Sequence, residues 1–455
     1  MASAGFMVVA DHRVDDFVDA AAIQARCVPA LESTGLQVHV WPKLVHSDVD
    51  GMAAARTLEG EGVDCIIYYI AWFFEANAVV TPALLVPLPA IVWSEPDPHS
   101  LSMIGMGVIH GSLEEVGVRH RFIYRPLGPE ALAEIAQYAG AAAAHRRLRG
   151  ARYCQIGGRA LSMYTGVADT AQWKTQFGIE VEHMDQWELV LQAERLADSE
   201  ARDFVRGVRG RFQRVDPADP VLERSGRVYL ALKRIFEQGR YDFVGVKCQF
   251  EMIDNYIAPC LPISMLNDEG LVTACEADMN AALTMKVLNS LTGAPVMFAD
   301  TSFIDRERGM IRLLNCGTAA THFAPSPDSV VLTDCPDEMG SIDPDTGRHR
   351  TQGGACTHFL CRSGPVTLAR FARSSGKYVL QIAEGDVYQP GPEDPTETFA
   401  FDRWPWAFIR LRADMDRFIA NVRSNHIHLA YGSWSGHLLD FCELAGVQAM
   451  LCQAA

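Results

Sequence analysis

The sequence predicts an α/β protein with two domains built on parallel β-sheets, followed by a β-rich third domain. Strand-like and helix-like runs alternate from residue 1 to about 150 and again from 151 onward, a pattern typical of parallel sheets flanked by helices. Beyond about residue 325, loops rich in Pro, Asp and Gly lead into paired β runs. A chain of 455 residues is also too long for one ordinary core. We therefore predict domains at 1–150, 151–324 and 325–455.

The composition is that of a folded globular protein. Hydrophobic residues make up 49% of the chain and charged residues 21%. Lys and Arg number 40 against 56 Asp and Glu, which gives a net charge of −16. This negative charge argues against nucleic acid or an anionic membrane as a partner, because both require a basic face. A small neutral substrate fits better.

The cysteine pattern predicts a cytoplasmic protein. The 12 cysteines are scattered through apolar runs without a CxxC pair, and the sequence shows no secretory leader, so we expect buried, reduced thiols. The long apolar stretch Ile66–Trp93 contains Glu75 and is broken by Pro82, Pro87 and Pro89. We therefore expect no membrane-spanning segment.

The first domain begins with a strand at Phe6–Ala10 and a helical apolar stripe at Val14–Leu31. Further strands are predicted at Leu36–Trp41, Cys65–Ile70 and Ala90–Trp93. Arg13 follows the first of these strands and Trp93 ends a later one. Residues at the carboxyl ends of parallel strands are candidates for substrate contacts, so both are candidates, with a solvated loop position as the alternative for each.

The second domain opens with a strand that feeds the Gly157-Gly158 turn. The GxGxxG spacing of a dinucleotide fingerprint is absent, so this turn predicts sheet geometry and not a nucleotide site. Helices are predicted at 189–207 and 228–239. The strand Phe243–Gln249 then places Lys247 near its end, where it could contact substrate or pair with a nearby acid.

The stretch from residue 271 to 303 reads as strand, helix and strand. A βαβ unit would make the strands Leu271–Cys275 and Pro295–Ala299 parallel, with Glu276 and Asp300 at one edge of the sheet. Neighbouring strands would bring these carboxylates to roughly 5 Å, or to about 10 Å with one strand between them. The alternative is that acids at such positions cap the following helix, as Asp278 could.

In the third domain, the two β runs PVTLARFA and KYVLQIAEG predict an antiparallel hairpin. It continues with a helix at 413–422, the strand NHIHLAYG, a helix through HLLDFCELAG and a closing strand VQAML. His426 and His428 alternate along their strand and share a face. A lone strand histidine is usually structural, but two carboxylates with one imidazole would suit Mn²⁺ or Mg²⁺.

These segments together resemble the L-fucose isomerase and L-arabinose isomerase superfamily, in particular its fucose-isomerase-like branch. The matching segments, in chain order, are IGGRALSMYTG, FGIEVEHMDQWEL, DFVGVKCQFEM, ACEADMNAALTM with FADTSFID, NCG, the GPVTLARF and YVLQIAEG hairpin, and NHIHLAYG. They run from about residue 150 to the C terminus. The resemblance therefore covers most of the chain and is most specific in its middle.

The resemblance implies a divalent-metal site formed by Glu276, Asp300 and His426. The metal of the family is usually Mn²⁺, with Mg²⁺ or another divalent ion as alternatives. The resemblance also implies two Rossmann-like domains before a β-barrel-like C-terminal domain. It implies a cytoplasmic homotrimer or homohexamer whose active sites lie between subunits. The candidate sugar contacts are Arg13, Trp93 and Lys247 together with Tyr388 and Asn425, and these last two lie in the predicted C-terminal domain.

The expected reaction is the interconversion of an aldose and a ketose through an enediolate, with Glu276 and Asp300 passing protons. One residue departs from the family pattern: Asn315 stands where many relatives carry His in a His-Cys-Gly segment, and an amide cannot act as a base. The alternatives are therefore a related epimerase, an aldolase-like lyase, or an inactive sugar-binding relative. The sequence does not distinguish among individual sugars.

Overall fold

The chain folds into two compact units. The structure is a computed structural model that describes residues 1–14 and 17–452. One unit comprises Met1–Arg147 together with Gly436–Gly446, and the other comprises Leu148–Ser435 together with the segment that begins at Val447. We call them the N-terminal unit and the main unit. The domain limits at 150 and 324 stay predictions.

The N-terminal unit is a five-stranded parallel sheet with helices between its strands. Its elements are β1 (Ser3–Val9), α1 (Ala20–Glu32), β2 (Gln37–Val40), α2 (Asp48–Gly60), β3 (Cys65–Ile70), α3 (Asn77–Leu85), β4 (Ala90–Ser94), α4 (Ser102–Glu115), β5 (His120–Tyr124) and α5 (Pro129–Leu148). The strand order is β2-β1-β3-β4-β5. Strands β3 and β4 are buried along their whole length, which explains their continuous apolar sequences. Part of the predicted 14–31 helix, residues 15 and 16, lies outside the described residues.

The main unit contains the remaining strands and most of the remaining helices. In chain order these elements are β6 (Arg152–Ile156), α6 (Thr170–Gln172), β7 (Glu180–Met184), α7 (Gln186–Glu194), α8 (Asp198–Arg211), β8 (Arg214–Val215), α9 (Asp219–Gly239), β9 (Phe243–Val246), α10 (Glu251–Asn255), α11 (Cys260–Asp268), β10 (Val272–Ala274), α12 (Met279–Thr292), β11 (Met297–Asp305), β12 (Met310–Leu314), β13 (Val331–Asp334), β14 (Ala355–His358), β15 (Gly364–Ser374), β16 (Lys377–Tyr388), β17 (Trp406–Leu411), α13 (Met415–Asn421), β18 (His426–Tyr431), α14 (Ser435–Ala445), whose residues from Gly436 belong to the N-terminal unit, and β19 (Gln448–Leu451). Single turns of 3₁₀ or π helix lie at His12–Val14, Tyr164–Gly166, Trp173–Phe177, Cys275–Ala277, Thr321–Phe323, Pro327–Ser329 and Asp337–Met339.

The second parallel sheet has the strand order β10-β9-β6-β7. Its last strand in sequence, β10, leads into α12, whose ends follow from local chemistry. The Asp278 side chain accepts a hydrogen bond from the Ala281 amide at the start of the helix, and Gly293 adopts a left-handed conformation at its end. These two residues fix the helix between the positions of the two predicted acids. The α/β prediction is confirmed for both parallel sheets.

The C-terminal strands form a sheet that closes on itself. Its order is β15-β18-β11-β12-β17-β16-β19, and β15 also pairs with β16. The six strands from β15 to β16 therefore form an antiparallel ring, and β19 adds to it parallel to β16. A small fourth sheet, β14-β13-β8, packs its apolar residues into the same core as the ring. The prediction of a β-rich, barrel-like C-terminal domain is confirmed.

The predicted parallel βαβ unit around α12 is wrong. Strand β10 pairs in parallel with β9, whereas β11 pairs antiparallel with β12 and β18 in the closed sheet. The physical reason is the tight turn at residues 306–309, which folds β12 directly back onto β11 as a hairpin. A short apolar run fits a parallel or an antiparallel sheet equally well, so its composition did not reveal its partner.

Ten cysteines are buried and unpaired, as expected, but Cys335 and Cys356 form a disulfide. The expectation of reduced thiols therefore does not hold for that pair, whose residues come together because β13 and β14 are antiparallel neighbours. Among the described residues, no helix is both long enough and apolar enough to cross a membrane.

Candidate active site

Glu276 lies in a tight turn directly after β10. Its backbone adopts φ +57° and ψ +17°, and the next residue, Ala277, is also left-handed at φ +50°. Such angles cost a non-glycine residue about 1–3 kcal/mol and are found chiefly at functional sites. The Gln155 side chain donates a hydrogen bond to the Ala277 carbonyl at 2.8 Å, which helps to hold the turn. The Glu276 carboxylate is thereby fixed in a buried position, only 7% exposed.

Asp300 and His426 are brought together by the register of the closed sheet. They stand directly opposite each other on the antiparallel strands β11 and β18. His426 Nε2 lies 3.6 Å from Asp300 Oδ1 and 3.3 Å from Glu276 Oε2. The Phe298 ring packs against the imidazole with a centroid distance of 4.3 Å. The three residues predicted to form the site therefore converge, although Glu276 and Asp300 belong to different sheets.

The orientation of His426 is set by Asp278. The two are linked by a hydrogen bond of 2.7 Å between Nδ1 and Oδ2, and because an ionised carboxylate only accepts, Nδ1 carries the proton. In the neutral ring the lone pair is then on Nε2, which faces Glu276 and Asp300. Asp278 is itself held by Arg370, whose Nη2 lies 2.9 Å from Oδ2. Both members of this ion pair are essentially without solvent exposure.

These charges shift the pKa values of the site residues. Burial alone would raise the pKa of Asp278, but the positive charge of Arg370 and the hydrogen bond from His426 hold it well below its ordinary value. Burial opposes protonation of His426, yet its hydrogen bond to Asp278 and the proximity of Glu276 raise its pKa to about 10. Burial raises the pKa of Asp300 to about 6; the nearby His426 opposes this rise, and Glu276 adds to it.

The residues fit a divalent cation on chemical grounds. Glu276 Oε2 and His426 Nε2 are buried and have no hydrogen-bond partner among the described residues, a costly arrangement that a shared cation would relieve. Two carboxylates with one imidazole form an oxygen-rich donor set. The hydrogen bond between Asp278 and His426 is the kind of support that metal-binding histidines usually receive from a carboxylate.

Comparison with known proteins tests the predicted family resemblance. The model of the L-fucose isomerase C-terminal domain matches residues 313–452. A sulfoquinovose isomerase from Priestia aryabhattai is 22% identical over 408 residues, 86% of each chain. Over most of its length the chain is thus similar to fucose-isomerase-like proteins, as its sequence segments predicted. A second sulfoquinovose isomerase, from Alkalicoccus urumqiensis, is 20% identical over 71% of this chain and 72% of its own. The predicted family and enzyme class, a sugar isomerase, are thereby confirmed.

The chain shows a weak likeness to several solved structures. One is a periplasmic solute-binding protein of an ABC transporter from Actinobacillus succinogenes with bound D-allose. It is 11% identical, covers 65% of this chain and 93% of its own, and has a TM-score of 0.17. A likeness this weak carries no argument about the function of this fucose-isomerase-like chain.

Asn425 lies beside the three converging residues. Its side-chain amide donates a hydrogen bond of 2.8 Å to Asp300 Oδ1. The sequence predicted a sugar contact for Asn425, and the structure places it where it orients the Asp300 carboxylate. The side chain of Asp300 is 26% exposed, so this is the more open part of the site.

The other predicted sugar contacts have partners within their own units. In the N-terminal unit, Trp93 is a core residue whose indole donates to the Arg125 carbonyl, and the exposed Arg13 pairs with Asp11. In the main unit, Lys247 forms an ion pair of 2.5 Å with Glu251, the alternative considered for it.

The remaining predicted contact, Tyr388, also has a protein partner. Its hydroxyl donates to Asp394 Oδ1 at 2.8 Å, and the same carboxylate oxygen accepts a bond of 2.6 Å from Arg308. Burial, followed by the hydrogen bond to Asp394, raises the pKa of Tyr388 to about 12. The hydroxyl therefore remains protonated near neutral pH.

Asn315, the departure from the family pattern, is used within the fold. Its Oδ1 accepts from the backbone amides of Thr318 and Ala319, and its Nδ2 donates to the Phe298 carbonyl and to Thr318 Oγ1. All four hydrogen-bonding positions of the amide are therefore occupied. In this chain the residue shapes the loop after β12 and offers no free group to a substrate.

Sequence reasoning missed two residues of the site. Asp278 was considered only as a helix cap, although the same carboxylate also holds His426. Arg370 was not singled out at all, although an arginine within the apolar run PVTLARFA was a usable signal. A buried arginine requires an acidic partner, so this position could have directed attention to an acid elsewhere in the chain.

Proposed function

We propose that this protein is a metal-dependent aldose-ketose isomerase that works through an enediolate intermediate. The main support is the convergence of two buried atoms that make no hydrogen bond among the described residues, Glu276 Oε2 and His426 Nε2, 3.3 Å apart, with Asp300 Oδ1 3.6 Å from the same nitrogen. In this proposal the three side chains hold Mn²⁺, with Mg²⁺ or another divalent ion as the alternative. A bound divalent cation supplies Lewis-acid stabilisation of the negative charge that develops on adjacent substrate oxygens.

The protein supplies orientation and proton transfer. Asp278 keeps the Nδ1 proton of His426 in place, so that in the neutral ring the Nε2 lone pair faces the site. In the proposed reaction Glu276 accepts a proton from the carbon next to the carbonyl group and returns it to the neighbouring carbon. Asp300, oriented by Asn425 and more exposed, passes the second proton between the two oxygens. One carbon is oxidised and its neighbour reduced, with no outside electron donor.

The substrate proposal is a sugar, with two candidates. The similarity to sulfoquinovose isomerases favours sulfoquinovose, a sulfonated sugar. The net charge of −16 favours a neutral aldose such as fucose or arabinose. Sulfoquinovose and the neutral aldoses should be tested side by side with Mn²⁺-loaded protein, and ¹H NMR of the products identifies the better substrate.

We further propose a cytoplasmic homotrimer or homohexamer with active sites between subunits. The family resemblance supports this assembly, and the ten buried free cysteines support the compartment. Light scattering gives the subunit number. Mixing two inactive variants, each altered in a different candidate residue, tests whether subunits share a site, because shared sites would regain partial activity.

The decisive experiment removes and restores the metal. Protein stripped with a chelator should lose isomerase activity and regain it with Mn²⁺, and Glu276→Gln should remain inactive after reloading. Glu237→Gln is the matched control, because Glu237 is an exposed glutamate on α9. Full activity of the stripped protein, or of Glu276→Gln, would show that the proposal is wrong. Products with fewer carbons would instead indicate a lyase, and a change of configuration at one carbon an epimerase.

The occupied hydrogen bonds of Asn315 bear on these alternatives. The sequence raised a lyase or an epimerase because an amide replaces a titratable imidazole at this position. Since the amide is fully used in the β12 loop, it takes no part in substrate chemistry in this proposal. The replacement therefore gives no positive support to a different reaction.

A further inference from the structure

A second cluster of metal-binding side chains lies in the N-terminal unit. It consists of His110 and Glu114 on α4 and His120, the first residue of β5. One ligand atom of each residue lies within 4.8 Å of the other two. His110 and Glu114 are four residues apart on the helix and therefore share a face. The short connection 116–119 returns the chain so that His120 meets that face.

The buried histidine of this cluster presents a fixed lone pair. His120 Nδ1 lies 2.9 Å from the Val118 carbonyl oxygen, and because a carbonyl only accepts, Nδ1 carries the proton. In the neutral ring Nε2 is then an acceptor, and it lies 2.8 Å from His110 Nδ1. A backbone carbonyl that fixes the opposite nitrogen is a usual support for a metal-binding histidine. Only 8% of His120 is exposed.

The other two ligands are positioned but adaptable. The His110 ring packs against Phe122 at 4.7 Å and against the His120 ring at 5.0 Å, so its plane is restrained. A change of tautomer that places the His110 proton on Nε2 would leave Nδ1 free to bind. Glu114 is exposed, and among the described residues its carboxylate has no hydrogen-bond or ion-pair partner. It can therefore turn towards the two nitrogens.

We propose that His110, Glu114 and His120 bind Zn²⁺ at a site distinct from the candidate active site. Two imidazoles and one carboxylate form a nitrogen-rich set that suits zinc, in contrast to the two carboxylates and one imidazole of the main unit. Tetrahedral ligands at about 2.0–2.2 Å from zinc lie roughly 3.3–3.5 Å apart, so the two nitrogens need to separate by about half an ångström. Zinc would take its fourth ligand from water, since Glu114 is exposed. Such a site would fasten the end of α4 to the start of β5.

The experiment is a Zn²⁺ titration of the full chain with a chromophoric chelator as competitor. The variants are His110→Ala and Glu114→Gln, and His99→Ala is the control because it removes an exposed histidine just before α4. We expect the control to match the wild type, His110→Ala to lose one equivalent of bound zinc, and Glu114→Gln to bind that equivalent at least about 10-fold more weakly. Zinc bound at the candidate active site is present in every variant and cancels in the comparison.

Visible absorption of Co²⁺-substituted protein gives an independent readout. A four-coordinate band should appear in the wild type and in His99→Ala and be lost in His110→Ala. If His110→Ala does not fold, the exposed substitution Glu114→Gln decides the matter. Equal zinc affinity and stoichiometry in Glu114→Gln and the wild type would overturn the proposal, and so would an unchanged cobalt spectrum in His110→Ala.

Discussion

Replacing Asp278 with Asn tests the support beneath the candidate active site. The change removes one negative charge from a buried ion pair and leaves Arg370 without its partner. Loss of one partner of a buried pair costs about 3–5 kcal/mol of unfolding free energy. The helix cap adds little to this sum, because Asn caps helices about as well as Asp. The Nδ1 proton of His426 also loses its ionised acceptor, so we expect Mn²⁺ affinity to fall by about 10- to 100-fold.

A second substitution separates these two effects. In the double variant Asp278→Asn with Arg370→Met, neither charge remains, so stability should return to within about 1 kcal/mol of the wild type. Mn²⁺ affinity should stay low, because the carboxylate that fixes the His426 tautomer is still absent. The double variant therefore distinguishes the cost of a stranded charge from the loss of orientation at the site.

Amide hydrogen exchange of metal-free protein measures the stability of this region directly. Peptides from α12 should exchange on the order of 10²- to 10⁴-fold faster in Asp278→Asn, the factor that corresponds to 3–5 kcal/mol. Equilibrium dialysis measures the Mn²⁺ affinity of each variant. Unchanged exchange in Asp278→Asn would refute the ion-pair argument, and unchanged Mn²⁺ affinity would refute the argument about His426.

Three further substitutions probe separate parts of the main unit. Asn425→Ala removes the hydrogen bond to Asp300 Oδ1. Because a hydrogen bond to a charged acceptor contributes about 1.5–3 kcal/mol, kcat/KM should fall by roughly 10- to 150-fold. An unchanged kcat/KM would exclude a positioning role for Asn425. Asn315→His removes the acceptor of two backbone amides and should lower the free energy of unfolding by about 1–3 kcal/mol, measured by urea denaturation; equal stability would mean that the loop does not depend on this amide. Gly317→Ala should lower the melting temperature more than Gly293→Ala does. Both glycines have positive φ, but only at Gly317 would a Cβ lie 2.6 Å from Cys356, a buried cysteine of β14. Equal melting temperatures of the two variants would contradict this.

The α/β alternation was readable because burial on both faces produces continuous apolar strands. The limits of α12 were readable because Asp278 and Gly293 are local signals for a helix start and stop. The strand partners of β11 were not. Its pairing with β18 joins residues more than 120 positions apart in sequence, such as Asp300 and His426, and no local pattern encodes that distance.

Part of the candidate site could also be predicted from local sequence, and part could not. Glu276 and Asp300 follow or lie within strands, and the resemblance added His426. The ion pair of Asp278 with Arg370 spans 92 positions and depends on two sheets meeting, so each residue by itself suggested a simpler role. The cluster of His110, Glu114 and His120 went unnoticed because His120 approaches α4 only through the turn before β5.

The left-handed backbone at Glu276 has an evolutionary consequence. Glycine adopts this conformation without cost, and asparagine does so more readily than glutamate. A search for thermostable variants should therefore favour Gly or Asn at this position, at the expense of the carboxylate. Under the proposed function, keeping Glu at this position sacrifices folding free energy for activity, so the turn after β10 is where selection would balance stability against turnover.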